Sequence, residues 1–236
     1  MELAQYVVLG FAPGAFWLWF LRHKDDLEPE PKLLVLRVFA LGCLATVPVL
    51  WLRPGLEDLL PLAAQARAAA DAFLLTAPLE EVCKTLAFVL GAYWHKELDE
   101  PLDGVIYGTA AGLGFASVEN VFYLLHFEDP WIVLLRGFTS TPAHVATTGA
   151  LGFFWGFARF TGWSRKPWLW LFGLSMAILF HGAYDYFLFR GGLAWVSLLC
   201  VLPLMIVLLG LKIRWARARS HDYHPVRARR RSPPPA

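Results

Sequence analysis

Seven ionisable side chains of this sequence lie inside apolar stretches. Glu80, Glu81 and Lys84 share one segment, Glu119 falls in the next, His144 in the one after, and His181 with Asp185 in a fourth. A charged group at the centre of a membrane helix costs roughly 2.5–3.5 kcal/mol to insert, so such groups face one another or a wet cavity. Helical spacing pairs Lys84 with Glu80 (i,i+4) and with Glu81 (i,i+3). His181 and Asp185 are also i,i+4, which lets the carboxylate accept the imidazole N–H and set its tautomer. Four carboxylates and one lysine sum to −3 with neutral histidines. Either some acids hold protons or a divalent cation sits among them. Two histidines and a glutamate form a ligand set of catalytic zinc hydrolases, where a further glutamate activates water.

The elements that carry these residues follow from composition. Of 236 residues, 57% are apolar and only 17% charged, against about a quarter charged in soluble domains. Disorder, a nucleic-acid module and a secreted disulfide scaffold are thereby excluded. Cys43, Cys83 and Cys200 lie singly in apolar segments and suggest neither disulfides nor a thiolate metal site. Seven segments have the ~20 residues a helix needs to cross a bilayer. They are Leu3–Leu21, Leu33–Leu52, Ala72–Trp94, Gly104–Leu125, Gly137–Ala158, Trp168–Phe189 and Gly191–Leu211. The reading is an all-α, polytopic transmembrane bundle of about seven helices. Residues 1–213 are expected to form a single transmembrane helical domain with its core at about 72–189, and 214–236 a basic, proline-ending cytoplasmic tail expected to be disordered. The first segment is read as a retained span, since it lacks a basic n-region and a cleavage site. Arg53–Asp71 reads as an interfacial helix, and Trp131–Arg136 as a re-entrant or interfacial stretch. Glu97–Glu100 and Asp103 read as a solvated loop. Gly104, Gly108 and Gly112, with Gly152 and Gly156, make stripes that allow close helix approach.

Placing the tail inside puts sixteen of the 21 basic residues on the cytoplasmic side. The positive-inside bias therefore sets the N-terminus outside and the C-terminus inside. With that orientation, at ~1.5 Å per residue, most of the seven groups lie about 9–14 Å beneath the outer surface, in one layer shared by four helices.

Four strings in this layer, with two flanking stretches, resemble the PrsW family of intramembrane proteases, relatives of the type II CAAX prenyl-endopeptidase and bacteriocin-immunity superfamily. They are EEVCK (Glu80–Lys84), FASVEN (Phe115–Asn120), PAHVATTG around His144, and HGAYD (His181–Asp185). The flanking stretches are DDLEPEPK (Asp25–Lys32) and the run from Asp103 into Glu119. Together they cover most of Asp25–Phe189.

The resemblance implies a multi-pass protease of the cell membrane that cuts a membrane-anchored, single-span protein, such as an anti-sigma factor, near its extracytoplasmic face. It implies Glu80 or Glu81 as general base, Glu80 first. Glu119, His144 and His181 would hold a divalent metal, zinc by preference, or hold the water directly without metal. Asp185 would orient His181 or complete the site, Lys84 would compensate the glutamates, and Asn120 would bind substrate backbone or the oxyanion. The expected partners are that substrate and the lipid bilayer, with no nucleic acid. The chain lacks HExxH, so the likeness does not extend to ordinary zincins. A small ion-coupled carrier is the reading from another class. Carriers usually show inverted repeats and broken helices at the midplane, and neither is visible here.

Overall fold

The computed structural model describes residues 2–23, 29–59 and 64–223, and the described residues form helices joined by short turns, with no strand among them. α1 (Leu3–His23) precedes α2 (Lys32–Leu44) and α3 (Thr46–Asp58), which continue one another across Ala45. α4 (Ala64–Ala70) and α5 (Ala77–Phe88) join through a π-helical turn at Asp71–Thr76, and a second such turn, Val89–Tyr93, ends that rod. Next come α6 (Pro101–Phe127), the short α7 (Trp131–Phe138), α8 (Ser140–Arg159) and α9 (Lys166–Phe189). α10 (Ala194–Val196) leads through a π-helical turn at Ser197–Val201 into α11 (Leu202–Ala218), and α12 (Ser220–Tyr223) closes the described chain.

Prolines stand in the first turns of α6 and α9, where the missing N–H breaks no bond, and Pro78 of α5 and Pro203 of α11 directly follow the π-helical turns. Among the described residues four stretches are long and apolar enough to span a membrane: Leu3–Leu21, Lys32–Asp58, Lys166–Phe189 and Ala194–Ala218. α6 and α8 are long enough too, but their Gly, Ser, Thr and ionisable residues lower their hydropathy. The surface is that of a membrane protein, apolar outside and polar within: Leu33, Trp51, Trp168 and Leu199 are exposed, while Glu81, Lys84 and Asn120 are fully buried. The all-α membrane architecture expected from composition is the one observed.

α6 is the axis of the bundle, packed against α8, α2 and α1. The glycine stripes explain how α6 and α8 come so near. A Cβ on Gly104 would lie 2.9 Å from the Gly156 Cα and closer still to the Gly152 carbonyl. One on Gly112 would meet the His144 carbonyl at 2.8 Å. Backbone contact of this kind is worthwhile in lipid, where helix association relies on van der Waals packing rather than hydrophobic burial. It also fixes the height of His144 beside α6.

Three local expectations are corrected. Arg53–Asp71 is not one surface helix: Arg53 ends up in α3, Asp71 begins the turn before α5, and residues 60–63 lie outside the described residues. Glu100 and Asp103 are not a solvated loop but are buried, because they form a reciprocal capping box at the start of α6. The basic tail is helical at first, through α11 to Ala218 and α12 to Tyr223, and residues 224–236 lie outside the described residues.

Candidate active site

Four helices bring the polar residues to one end of the bundle. On α5 the helical repeat turns Glu80, Glu81 and Lys84 to the same interior face. The Lys84 Nζ donates to Glu80 Oε2 at 2.9 Å, to Glu81 Oε1 at 3.1 Å and to His144 Nδ1 at 2.9 Å. The ammonium therefore uses its full set of three donors, and it also lies 4.3 Å from the Phe115 ring centre. Glu81, fully buried beside it, accepts from His181 Nδ1 at 2.8 Å and from the hydroxyls of Thr147 and Thr148.

Both imidazoles are thus held from behind by their Nδ1 edges, His144 by Lys84 and His181 by Glu81. Their Nε2 edges turn the other way. His144 Nε2 lies 2.9 Å from Glu119 Oε2. His181 Nε2 lies 3.3 Å from Asp185 Oδ2 and 3.7 Å from Glu80 Oε2. These edges face a cavity of about 370 Å³, whose walls include Glu80, Glu119, His144, His181, Asp185 and Tyr184. Glu81, Lys84 and Asn120 are absent from that wall. Among the described residues Glu80, His144 and His181 form a compact donor group, each offering one ligand atom within 4.8 Å of the others.

Seven of the eight residues singled out in the sequence meet here as one hydrogen-bonded assembly. The eighth, Asn120, is close by but turned away. It is fully buried, its Oδ1 accepts from Arg136 Nε at 2.7 Å, and its Nδ2 donates to Thr141 at 3.2 Å. With its amide committed in this way it orients Arg136 instead of facing the cavity.

Arg136 is the residue that sequence reasoning passed over. α7 carries it into the cavity wall, where Nη2 donates to Glu119 Oε2 at 2.8 Å and the guanidinium stacks on Tyr123 at 3.8 Å. Its signal was an arginine within an apolar stretch too short to span. Arg53 also reaches the rim, bonded to Asp71, Thr76 and Glu57. Thr147 and Thr148 follow His144 by three and four residues, on its own helical face, and that spacing marked them as neighbours.

The donor chemistry suits a divalent cation. Two imidazoles and carboxylate oxygens are hard-to-borderline ligands of the type zinc takes. Four carboxylates against Lys84 and Arg136 leave a net −2 with neutral imidazoles, which one such ion would balance.

Comparison with known proteins gives the family. The profile described as PrsW family intramembrane metalloprotease matches residues 30–209. Protease PrsW of Geobacillus kaustophilus (strain HTA426) is 36% identical over 182 residues, 76% of this chain and 77% of that protein. Protease PrsW of Bacillus subtilis (strain 168) is 33% identical over 214 residues, covering 89% of this chain and 94% of its own. The Shouchella clausii (strain KSM-K16) Protease PrsW is 32% identical over 208 residues, 87% and 93% of the two chains. No solved structure matches. The chain belongs to the PrsW family, and it is a multi-pass peptidase of the cell membrane.

Proposed function

We propose that this chain is an intramembrane endopeptidase that hydrolyses a peptide bond of a membrane-anchored, single-span protein near the extracytoplasmic face, with an anti-sigma factor as one such substrate. One observation carries the reading: both imidazoles present Nε2 to a cavity that Glu80 and Glu119 also line, while Lys84 and Glu81 hold their Nδ1 edges. On this reading a water held in the cavity lies against Glu80, which lines it. Glu80 takes a proton as the water attacks the scissile carbonyl, and returns it to the departing amine. Glu80 is preferred over Glu81 because Glu81 is enclosed and fully used by Lys84, His181, Thr147 and Thr148. Glu81 is then the positioning residue that holds His181 through Nδ1 and turns Nε2 to the cavity side, where Asp185 Oδ2 lies at 3.3 Å, the usual carboxylate–histidine arrangement behind a metal ligand. Asp185 completes the cavity side of His181, and Arg136 aims Glu119.

A divalent cation, zinc by donor type, would be held by His144 and His181 with Glu119 as third donor, and when bound it supplies positive charge beside the water and the carbonyl oxygen. The compactness of Glu80, His144 and His181 makes Glu80 the competing third donor. Without metal, the same Glu80 and histidines would hold and activate the water directly.

The test is cleavage of a reconstituted single-span substrate, with metal content measured alongside. Loss of cleavage in Glu80→Gln and His181→Ala is expected. Metal retained in Glu80→Gln assigns that residue as base, and metal lost assigns it as ligand. Cleavage retained by both variants overturns the site.

A further inference from the structure

α8, α9 and α11 enclose a second cavity of about 250 Å³, outside the site described above. Its walls are mainly apolar, with Ala150 and Phe154 of α8, Ala177 of α9 and Met205 of α11 among them. α9 and α11 belong to stretches long and apolar enough to span a membrane. The groove runs from Ala146 to Phe154 along α8 and from Met205 to Lys212 along α11, about 10–12 Å at 1.5 Å per residue. Among the described residues that line it, Lys212 alone is charged. We propose that this groove binds an anionic phospholipid, with one acyl chain in the slot and the phosphate held by Lys212.

The shape selects a chain. A helix is ~10–12 Å across with its side chains, too wide for a slot of this volume and length. An acyl chain fits, and the slot takes up most of one leaflet, half of the ~30 Å hydrocarbon core. The charge selects the headgroup. Among the described residues the Lys212 ammonium meets no carboxylate. Its contacts are the Leu208 carbonyl of its own helix at 3.5 Å and the Phe154 ring, 5.2 Å from the ring centre. An ammonium has three donors, so most of its capacity is open. Charges within a span normally pair with one another or with carbonyls, because hydrocarbon solvates them poorly. Lys84 follows that rule with two glutamates; Lys212 has none. Snorkelling outward is the ordinary recourse of a lysine near the end of a span, but Lys212 turns the other way. Its Nζ reaches back to Leu208, towards the start of α11, while Arg214, Arg217 and Arg219 follow it to the helix end. Thr147, the polar residue at the far end of the groove, already gives its hydroxyl to Glu81 and to carbonyls of its own helix. The groove therefore has one polar end, as a lipid has, and basic pockets between membrane helices are a recurring form of headgroup site.

The experiment uses the full chain, purified in detergent, delipidated, and offered equal amounts of dioleoyl phosphatidylglycerol and dioleoyl phosphatidylcholine. Native mass spectrometry counts the lipids retained by the wild type, Lys212→Gln, Arg214→Gln and Ala150→Phe. The wild type is expected to retain phosphatidylglycerol over phosphatidylcholine by about fivefold, the scale of one basic residue at an anionic surface. Lys212→Gln should retain the two alike. Arg214→Gln loses the same charge about 200° around α11 and should keep the wild-type preference. Equal retention by the wild type, or the same loss of preference in both charge variants, overturns the inference. Ala150→Phe fills the slot and should retain less of both lipids. A folded Ala150→Phe, checked by its thermal transition, that retains both as the wild type does overturns the placement of the chain. Where that variant does not fold, the Lys212→Gln and Arg214→Gln pair still decides. Glycerol 3-phosphate in excess should leave the lipid in place; its displacement would mark a site for phosphate alone and overturn the role of the groove. A wild-type dimer that carries no lipid would make a second copy the occupant, and overturns the inference as well.

Discussion

Two clusters of buried acids lie at opposite ends of this bundle, and they are stabilised by different means. At the cavity end Glu80, Glu81 and the half-buried Glu119 and Asp185 are matched by Lys84, Arg136 and two imidazoles. At the other end Glu30, Glu100 and Asp103 gather where α6 begins. There Asp103 Oδ2 accepts the backbone N–H groups of Asp99 at 2.8 Å and Glu100 at 2.7 Å, and the Tyr107 hydroxyl donates to Glu30. Burial, with the Glu30 carboxylate beside it, pushes the Asp103 carboxyl well above the usual range. The first cluster pairs its acids with cations; the second raises the Asp103 carboxyl and caps a helix N-terminus. Burial of acids is common to both. Imidazoles, paired cations and a cavity distinguish the candidate active site.

The largest expected effect separates the two ends directly. Glu80→Gln should lower cleavage by about 10²–10⁴-fold, the contribution of a positioned base, while Asp103→Asn, near-isosteric and remote from the cavity, should leave cleavage within about threefold. Initial rates on one reconstituted substrate measure both. The reverse order would make the capping cluster the functional one.

Next in size is Arg136. Arg136→Leu leaves Glu119 without its guanidinium partner in a cavity wall, and activity should fall by about 10–100-fold, as for other groups that orient a ligand. Arg136→Lys, which keeps the charge but not the planar fork, should recover part of it. Unchanged kcat in Arg136→Leu would detach Glu119 from the chemistry.

A third prediction concerns the scaffold between the clusters. Gly152→Ala pushes a methyl against the Gly104 backbone and should cost about 1–3 kcal/mol of stability, the range for overpacking. Gly162→Ala, whose Cβ would meet nothing within 4 Å, is the control. Thermal unfolding in detergent reads both.

The smallest effect is a pH slope. Asp103 has a folded-state pKa above its ordinary unfolded value of about 3.9, so the folded protein binds more protons than the unfolded one. The stability from that proton is fully present below the unfolded value and is lost as pH rises towards the raised one. Asp103→Asn mimics the protonated acid and should flatten this decline between about pH 5 and 8, above that unfolded value. A steeper decline in the variant would contradict the raised Asp103 carboxyl.

The same comparison shows what was legible beforehand. The depth of each ionisable residue along its helix was countable at 1.5 Å per residue, so the convergence of Glu80, Glu81, Lys84, Glu119, His144, His181 and Asp185 could be anticipated. The glycine spacing likewise announced the close α6–α8 pair. Arg136 and the true orientation of Asn120 were not legible, because each depends on how the short α7 folds back over α6. Glu100 and Asp103 looked solvated because capping boxes and loop acids share a composition. Glu30, part of the DDLEPEPK stretch, is explained only by its bond to Tyr107, 77 residues away.

Sequence alone thus determined the all-α membrane class and the convergence of the ionisable residues, since hydrophobic length and helical period are local properties. Tertiary structure decided which atom of each group faces which partner: Nδ1 towards Lys84 and Glu81, Nε2 towards the cavity. The physical reason is that a hydrogen bond depends on angles and tenths of an ångström between separate helices, and spacing along one chain carries no information about rotation between two.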